Sequence, residues 1–192
     1  FAFGLIFLVV YFQEAQRRVP VQYARLMAHR EFDRHDLSAF RMKFCTSAPF
    51  SAALKADVLK RWPGGLSEYY GMTEGGGTCV LQAHLHPTKL HTVGQPAEGH
   101  DIRLIDEAGI ELPPGSTGEV VGHSGAMMSG YYGQPEKTRE AEWFDTTGRR
   151  FIRTGDVGRG PLPPAEQILA AVEGVDRLGA VHPVDAAVVE AF

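Results

Sequence analysis

One ten-residue stretch, Glu68-Tyr69-Tyr70-Gly71-Met72-Thr73-Glu74-Gly75-Gly76-Gly77, presents a hydroxyl, a carboxylate and four glycines in close succession. Glycine-rich backbone can turn its N–H groups onto phosphate oxygens. Thr73 is suited to donate a hydrogen bond to phosphate. Glu74 offers the kind of carboxylate that holds Mg2+ together with substrate phosphates. Tyr70 offers an aromatic face on which a base can stack. A second stretch, Arg153-Thr154-Gly155-Asp156, puts a carboxylate after a tight turn. Its two oxygens suit a vicinal diol. Each stretch alone also reads as an ordinary turn, because glycine-rich loops are common and an Asp often satisfies its own turn.

Such loops need strands and helices behind them. Phe1 to Phe12 is almost continuously apolar, which suits a strand buried on both faces. A chain that opens on a core strand reads as a fragment. Pro20 opens a helical pattern with Tyr23, Leu26 and Met27 on one face. Phe40 to Cys45 reads as a strand ending in Thr46-Ser47-Ala48-Pro49. Ser51 is a plausible N-cap for a helix carrying Leu54, Val58, Leu59 and Trp62, which Pro63-Gly64-Gly65 stops. Leu66 to Tyr70 is the next strand. This alternation predicts an α/β layer with a parallel sheet. In such sheets ligands bind at the carboxyl ends of strands.

After about Val93 the pattern changes to short strands separated by turns. Ile102 to Ile105, Ile110 to Leu112 and Gly118 to Val121 predict an antiparallel sheet or small barrel. A helix is expected near Pro135 to Trp143, then a strand Phe151 to Arg153 leading into the aspartate stretch. Beyond Gly160, Pro161 to Pro164 reads as a linker, and a helix carrying Ile168, Leu169 and Val172 closes at Gly174. The expected organisation is 1–92 as α/β, 93–159 as barrel, and 160–192 as linker and remnant of a small further domain.

Composition narrows the function classes. The chain has 192 residues, 23 acidic against 19 basic, and a net charge of −4. No Lys/Arg block is present, which argues against a nucleic-acid partner. The longest apolar run is too short to span a bilayer. Cys45 and Cys79 form no CxxC, so a disulfide scaffold and a zinc ribbon are excluded on count, and a reducing, cytoplasmic compartment is expected. Of 22 glycines, 15 fall between Gly64 and Gly133, which marks that stretch for chemistry.

Other candidates are weaker. His84, His86 and His91 read as a loop rather than a metal site, because no second shell is visible. His123-Ser124 lies in Gly-His-Ser-Gly, which is not the GxSxG of a nucleophilic serine. The two cysteines read as small apolar core residues. Arg149, Arg150 and Arg153 are read equally as solvated or as attracting phosphates.

Taken together, the motifs resemble the adenylate-forming superfamily of acyl-CoA synthetases, 4-coumarate–CoA ligases and peptide-synthetase adenylation domains. Tyr70-Gly71-Met72-Thr73-Glu74 is similar to its YGxTE motif, and Arg153-Thr154-Gly155-Asp156 to its TGD motif. Gly118-Glu119-Val120-Val121, followed by Gly130-Tyr131-Tyr132-Gly133-Gln134-Pro135-Glu136-Lys137-Thr138, is similar to its GE[LV]…GY…P..T segment. Thr46-Ser47-Ala48-Pro49 resembles its G-G-A-P loop with both glycines replaced, and Thr92-Val93-Gly94-Gln95-Pro96 its VG.P segment.

The resemblance implies the superfamily fold and ATP-dependent activation of a carboxylic acid to an acyl-adenylate, with transfer to CoA. It implies Thr73 and Glu74 as catalytic, with Glu74 holding Mg2+. It places Ser47, Ala48, Pro49, Glu68, Tyr69, Tyr70, Gly71, Met72, Thr73 and Asp156 around ATP or AMP, with Tyr70 on adenine and Asp156 on the ribose. Gly75, Gly76, Val93 and Gly94 fall near the acyl pocket. The family's phosphate loop, hinge segment and C-terminal lysine have no counterpart here, and no lysine follows Lys137. Transfer to a carrier-protein thiol and a non-catalytic nucleotide-binding remnant are the alternative readings; a serine hydrolase is a third.

Overall fold

The computed structural model describes residues 19–160 and a two-residue strand, Ala170–Ala171. The apolar run Phe1–Phe12, the 161–164 linker and the segment 178–192 lie outside the described residues. Helix α1 (Pro20–Met27) and helix α2 (Ala52–Arg61) pack beside a mixed sheet. That sheet has the order β1 (Met42–Thr46), β2 (Gly65–Gly71), β3 (Thr78–Gln82) and β4 (Gln95–Pro96). Ser51 caps α2 as expected, its hydroxyl accepting from Leu54 N at 3.3 Å.

Only β1 and β2 are parallel; β3 and β4 run antiparallel to their neighbours. The expectation of a parallel sheet therefore holds for the β1–α2–β2 unit alone. The glycine-rich loop is a hairpin connection that returns the chain beside β2 rather than a passage into a helix.

Buried Tyr23, Phe32, Phe50, Trp62, Leu66 and Leu81 form the core of this layer. Trp62 sits at its centre, 5.0–5.9 Å from the rings of Phe40, Phe32 and Tyr23. Aromatic rings at these separations bury large apolar area in tilted or edge-on contact. The Tyr23 hydroxyl donates to Phe44 O at 2.9 Å, which ties α1 to β1.

The second sheet is antiparallel, in the order β5 (Asp101–Ile105), β6 (Thr117–His123), β8 (Arg150–Arg159) and β7 (Glu142–Phe144). β9 (Ala170–Ala171) pairs with β8. Among the described residues this sheet is open: of the expected antiparallel sheet or small barrel, they form the antiparallel sheet. Ile110–Leu112 contributes an isolated bridge, Ile105 to Glu111, instead of a strand. The third helix, α3 (Pro135–Glu140), stops short of Trp143, which belongs to β7. Ala170–Ala171 is strand where a helix was expected.

The two layers share a core. Cys79 from β3, Ile102 and Leu104 from β5, and Val120 from β6 form one buried cluster, with Tyr70 and Leu112 packed against it. Residues from both sheets thus exclude water together, and Tyr70 lies at the junction. Among the described residues no helix is long and apolar enough to cross a membrane.

Candidate nucleotide site

Met72-Thr73-Glu74-Gly75 is a turn closed by Gly75 N donating to Met72 O at 3.1 Å. Gly75 takes φ +75°, the left-handed conformation that glycine adopts without strain. Thr73 and Glu74 are the two central residues, so both side chains project from the tip. The next glycines are required by close packing. A Cβ on Gly75 would lie 2.2 Å from Ala126 O, and one on Gly76 would lie 2.7 Å from Ile152 Cβ. From the other side, a Cβ on Gly122 would lie 1.3 Å from Gly76 O. Glycines on both partners let the loop press directly onto the second sheet.

Hydrogen bonds fasten that contact. Ser124 Oγ donates to Gly75 O at 2.6 Å and accepts from Ala126 N at 3.1 Å. Met128 N donates to Glu74 O at 2.9 Å. Ser124 is buried in this role, which removes it as a nucleophile. His123 Nδ1 lies 2.8 Å from Arg150 O instead of on a serine hydroxyl. The hydrolase reading fails on both counts.

The aspartate stretch lies inside β8, not after it. Opposite β6, Val121 pairs with Arg153 and Glu119 with Val157. One β6 residue therefore faces Thr154, Gly155 and Asp156, which bulge out of the ladder, with Gly155 at φ +74°. Thr154 Oγ1 pins the bulge by donating to Val120 O at 2.9 Å, and Asp156 N donates back to Thr154 Oγ1 at 3.1 Å. Bulges re-aim side chains. Here Asp156 is exposed and accepts from the Tyr70 hydroxyl at 2.8 Å through Oδ2. The two motif stretches, 86 residues apart, thus meet across the seam between the sheets. Burial, reinforced by the Asp156 charge, pushes the Tyr70 phenol well above its ordinary pKa, so it remains a donor.

Glu74 is half-buried, and its Oε1 accepts from the Tyr131 hydroxyl at 2.8 Å. Tyr131 lies in the Gly130-Tyr131-Tyr132-Gly133 stretch, and nothing in the sequence assigns it a role. Among the described residues no group of three or more His, Cys, Asp or Glu side chains is arranged to hold a metal. A resident metal cage is therefore not what this site offers. A lone carboxylate fits Mg2+ that arrives with phosphates and keeps most of its own water.

The other expected site residues differ in their surroundings. Glu68 is only 4% exposed and is ion-paired with Lys55, itself 2% exposed, so its carboxylate faces the core and not a nucleotide. Burial pushes Glu68 up to about 7 against the pull of Lys55, and pushes the Lys55 ammonium down. Lys55 also donates to Thr92 O at 2.9 Å, the residue before Val93 and Gly94. Gly94 at φ +89° would put a Cβ 2.0 Å from Val80 O, so there too one side is closed by backbone. Tyr69 is partly exposed beside Phe44, with ring centroids 6.1 Å apart. Ser47 adopts φ +75° where the resembled loop has glycine. Ala48 and Pro49 follow it and are exposed.

The arginine cluster is engaged in ion pairs. Arg149 pairs with Asp101 and Arg150 with Glu142, both at 2.9 Å, and Arg153 pairs with Glu119. Cys45 and Cys79 are buried, and burial pushes both thiols up to about 12. They pack as apolar residues, as expected.

The family model described as AMP-binding enzyme matches residues 18–132. The chain belongs to this adenylate-forming family. A feruloyl-CoA synthase of Amycolatopsis sp is 37% identical over 132 residues, covering 66% of this chain and 26% of that protein. The fatty acid–[acyl-carrier-protein] ligase ScoC of Streptomyces coeruleorubidus is 33% identical over 144 residues, covering 73% and 27%. The amide bond synthetase McbA of Marinactinospora thermotolerans superposes with a TM-score of 0.70 at 27% identity, covering 97% of this chain and 36% of that one. The chain spans about a quarter of the length of the curated relatives it matches.

Proposed function

We propose that the chain carries the nucleotide-gripping part of an acid–thiol ligase, which converts a carboxylic acid and Mg·ATP to an acyl-adenylate and passes the acyl group to CoA. The reading rests on the Tyr70–Asp156 hydrogen bond, because it brings two motifs distant in the chain to one seam. In this reading Asp156 takes the ribose hydroxyls, the Tyr70 ring lies against adenine beside Ser47, Ala48 and Pro49, and Thr73 donates to phosphate. Glu74 holds the cation, and the acyl group runs toward Gly75, Gly76, Val93 and Gly94. Mg2+, when bound with ATP, neutralises phosphate charge. An oxygen of the acid attacks the α-phosphorus, the bond to the β-phosphate oxygen breaks, and pyrophosphate leaves. The CoA thiolate then attacks the acyl carbon and AMP departs, the thiol proton having passed to solvent. Positioning and charge stabilisation dominate such chemistry, which is what a rigid seam between two sheets supplies.

The feruloyl-CoA synthase relative supports CoA as acceptor. A carrier-protein thiol is the second reading, favoured by the fatty acid–[acyl-carrier-protein] ligase relative. Feruloyl-sulfamoyl-adenosine, an unreactive acyl-adenylate mimic, tests the site on the 192-residue chain. Binding that AMP displaces is expected; binding that AMP leaves untouched contradicts the nucleotide assignment. Pyrophosphate exchange and then CoA thioester formation, measured on the chain extended to the length of its relatives, separates the acceptors. Exchange without a CoA thioester selects the carrier protein.

A further inference from the structure

We propose that Tyr131 is a positioning residue that aims the Glu74 carboxylate at a nucleotide-bound divalent cation; the proposal rests on the nucleotide reading above. Glu74 stands half-buried at the tip of a turn, and the last torsion of a glutamate side chain is broad in any setting. Here one carboxylate oxygen is taken by the Tyr131 hydroxyl at 2.8 Å. A phenol donates one hydrogen, while a carboxylate accepts at about four lone-pair positions. The bond therefore fixes the direction of the group and leaves Oε2 with no hydrogen-bond partner among the described residues.

Tyr131 is itself held. Its N–H donates to Thr138 Oγ1 at 2.9 Å, Thr138 Oγ1 donates to Gln134 O at 3.1 Å, and Gln134 N donates to Tyr131 O at 3.1 Å. Gly130, at φ +152°, packs against Thr138 so closely that a Cβ would lie 3.0 Å from its methyl. Helix α3 thus anchors the tyrosine from below. The same stretch holds the Glu74 backbone through Met128 N and the Gly75 carbonyl through Ser124 Oγ. Backbone and side chain of Glu74 are gripped by one segment, 124–131, of the second sheet's connection. Two effects of the phenol oppose each other. Donation lowers the basicity of the carboxylate, which weakens cation binding, and orientation removes rotamer freedom, which strengthens it. Orientation prevails because a divalent cation held mainly by phosphate and water gains most from a carboxylate already in place. Partners of metal ligands typically contribute roughly ten- to a hundredfold to metal affinity.

The test uses mant-ATP fluorescence anisotropy on the 192-residue chain, with Mg2+ titrated from excess chelator. In the wild type, mant-ATP affinity rises with Mg2+. Glu74→Gln removes that rise. Tyr131→Phe keeps the affinity measured in chelator and stays folded with a slightly lower thermal midpoint, but raises the Mg2+ half-saturation roughly tenfold. A role confined to stability would lower the midpoint and leave the Mg2+ half-saturation alone. Wild-type Mg2+ response in Tyr131→Phe overturns the role of Tyr131 while leaving the nucleotide reading intact. A wild-type chain that does not bind mant-ATP overturns both.

Discussion

Asp156 is exposed and fixed by its bulge, so its carboxylate can be tested without disturbing a core. Hydrogen bonds to charged groups are worth about 1.5–3 kcal/mol. Asp156→Ala should therefore weaken AMP binding about ten- to a hundredfold, while the loss of the Tyr70 partner lowers the unfolding midpoint only slightly, because the apolar cluster and the glycine contact between the sheets stay in place. Equal affinity by titration calorimetry would remove the aspartate from the site. The Lys55–Glu68 pair makes the opposite prediction, because both groups are buried. Lys55→Met strands a buried carboxylate and should cost about 3–5 kcal/mol in urea unfolding, most of it recovered in the double variant with Glu68→Leu. Equal losses in the single and double variants would mean the two charges are not coupled. Glu68 is raised from 4.5 to about 7, so the folded state holds its proton more tightly than the unfolded chain. Its contribution to stability is full below pH 4.5 and is lost as pH rises toward 7. Wild-type stability relative to Glu68→Gln should fall across that window; a constant difference contradicts it. The residue types of Thr73, Glu74 and Asp156 were legible in the sequence because their chemistry is intrinsic. The partners were not. Nothing in a single sequence links Tyr131 to Glu74, or shows that the Glu68 carboxylate turns into the core onto Lys55 while Tyr70, two residues on, reaches Asp156.

The elements that carry the site are held by shape as much as by bonding. Gly122 on β6 and Gly76 on the loop are in backbone contact. Gly122→Ala must push the loop off the second sheet. Overpacking typically costs about 1–3 kcal/mol, and here the obstacle is backbone, which cannot rotate away. The expected result is a lower thermal midpoint together with lost AMP binding. A variant of wild-type stability would show that the loop does not rest on β6. Helices α1 and α2 and strands β1, β2, β5 and β6 were readable from periodicity and capping, which are local. Closure of the second sheet was not, because whether an antiparallel sheet closes depends on strands that meet only in space. The parallel reading holds for β1 and β2 only, because no pattern in the sequence marks the five-residue return strand Thr78–Gln82 that pairs antiparallel with β2. The Thr154–Asp156 bulge is equally invisible in sequence, since it is defined by its register against β6.

The two sheets form one object through a shared apolar cluster, a glycine contact and two tyrosine–carboxylate bonds, Tyr70 to Asp156 and Tyr131 to Glu74. Each bond joins a residue of the first layer's hairpin to one of the second layer. The central claim is that these contacts make a single nucleotide site across the seam. Amide chemical shifts of the nitrogen-15-labelled chain, followed during titration with AMP, test it most directly. The account predicts that residues 70–77 and 154–158 shift together with one dissociation constant, and that Asp156→Ala weakens both sets equally. Shifts confined to one of the two segments, or two separate dissociation constants, would contradict it.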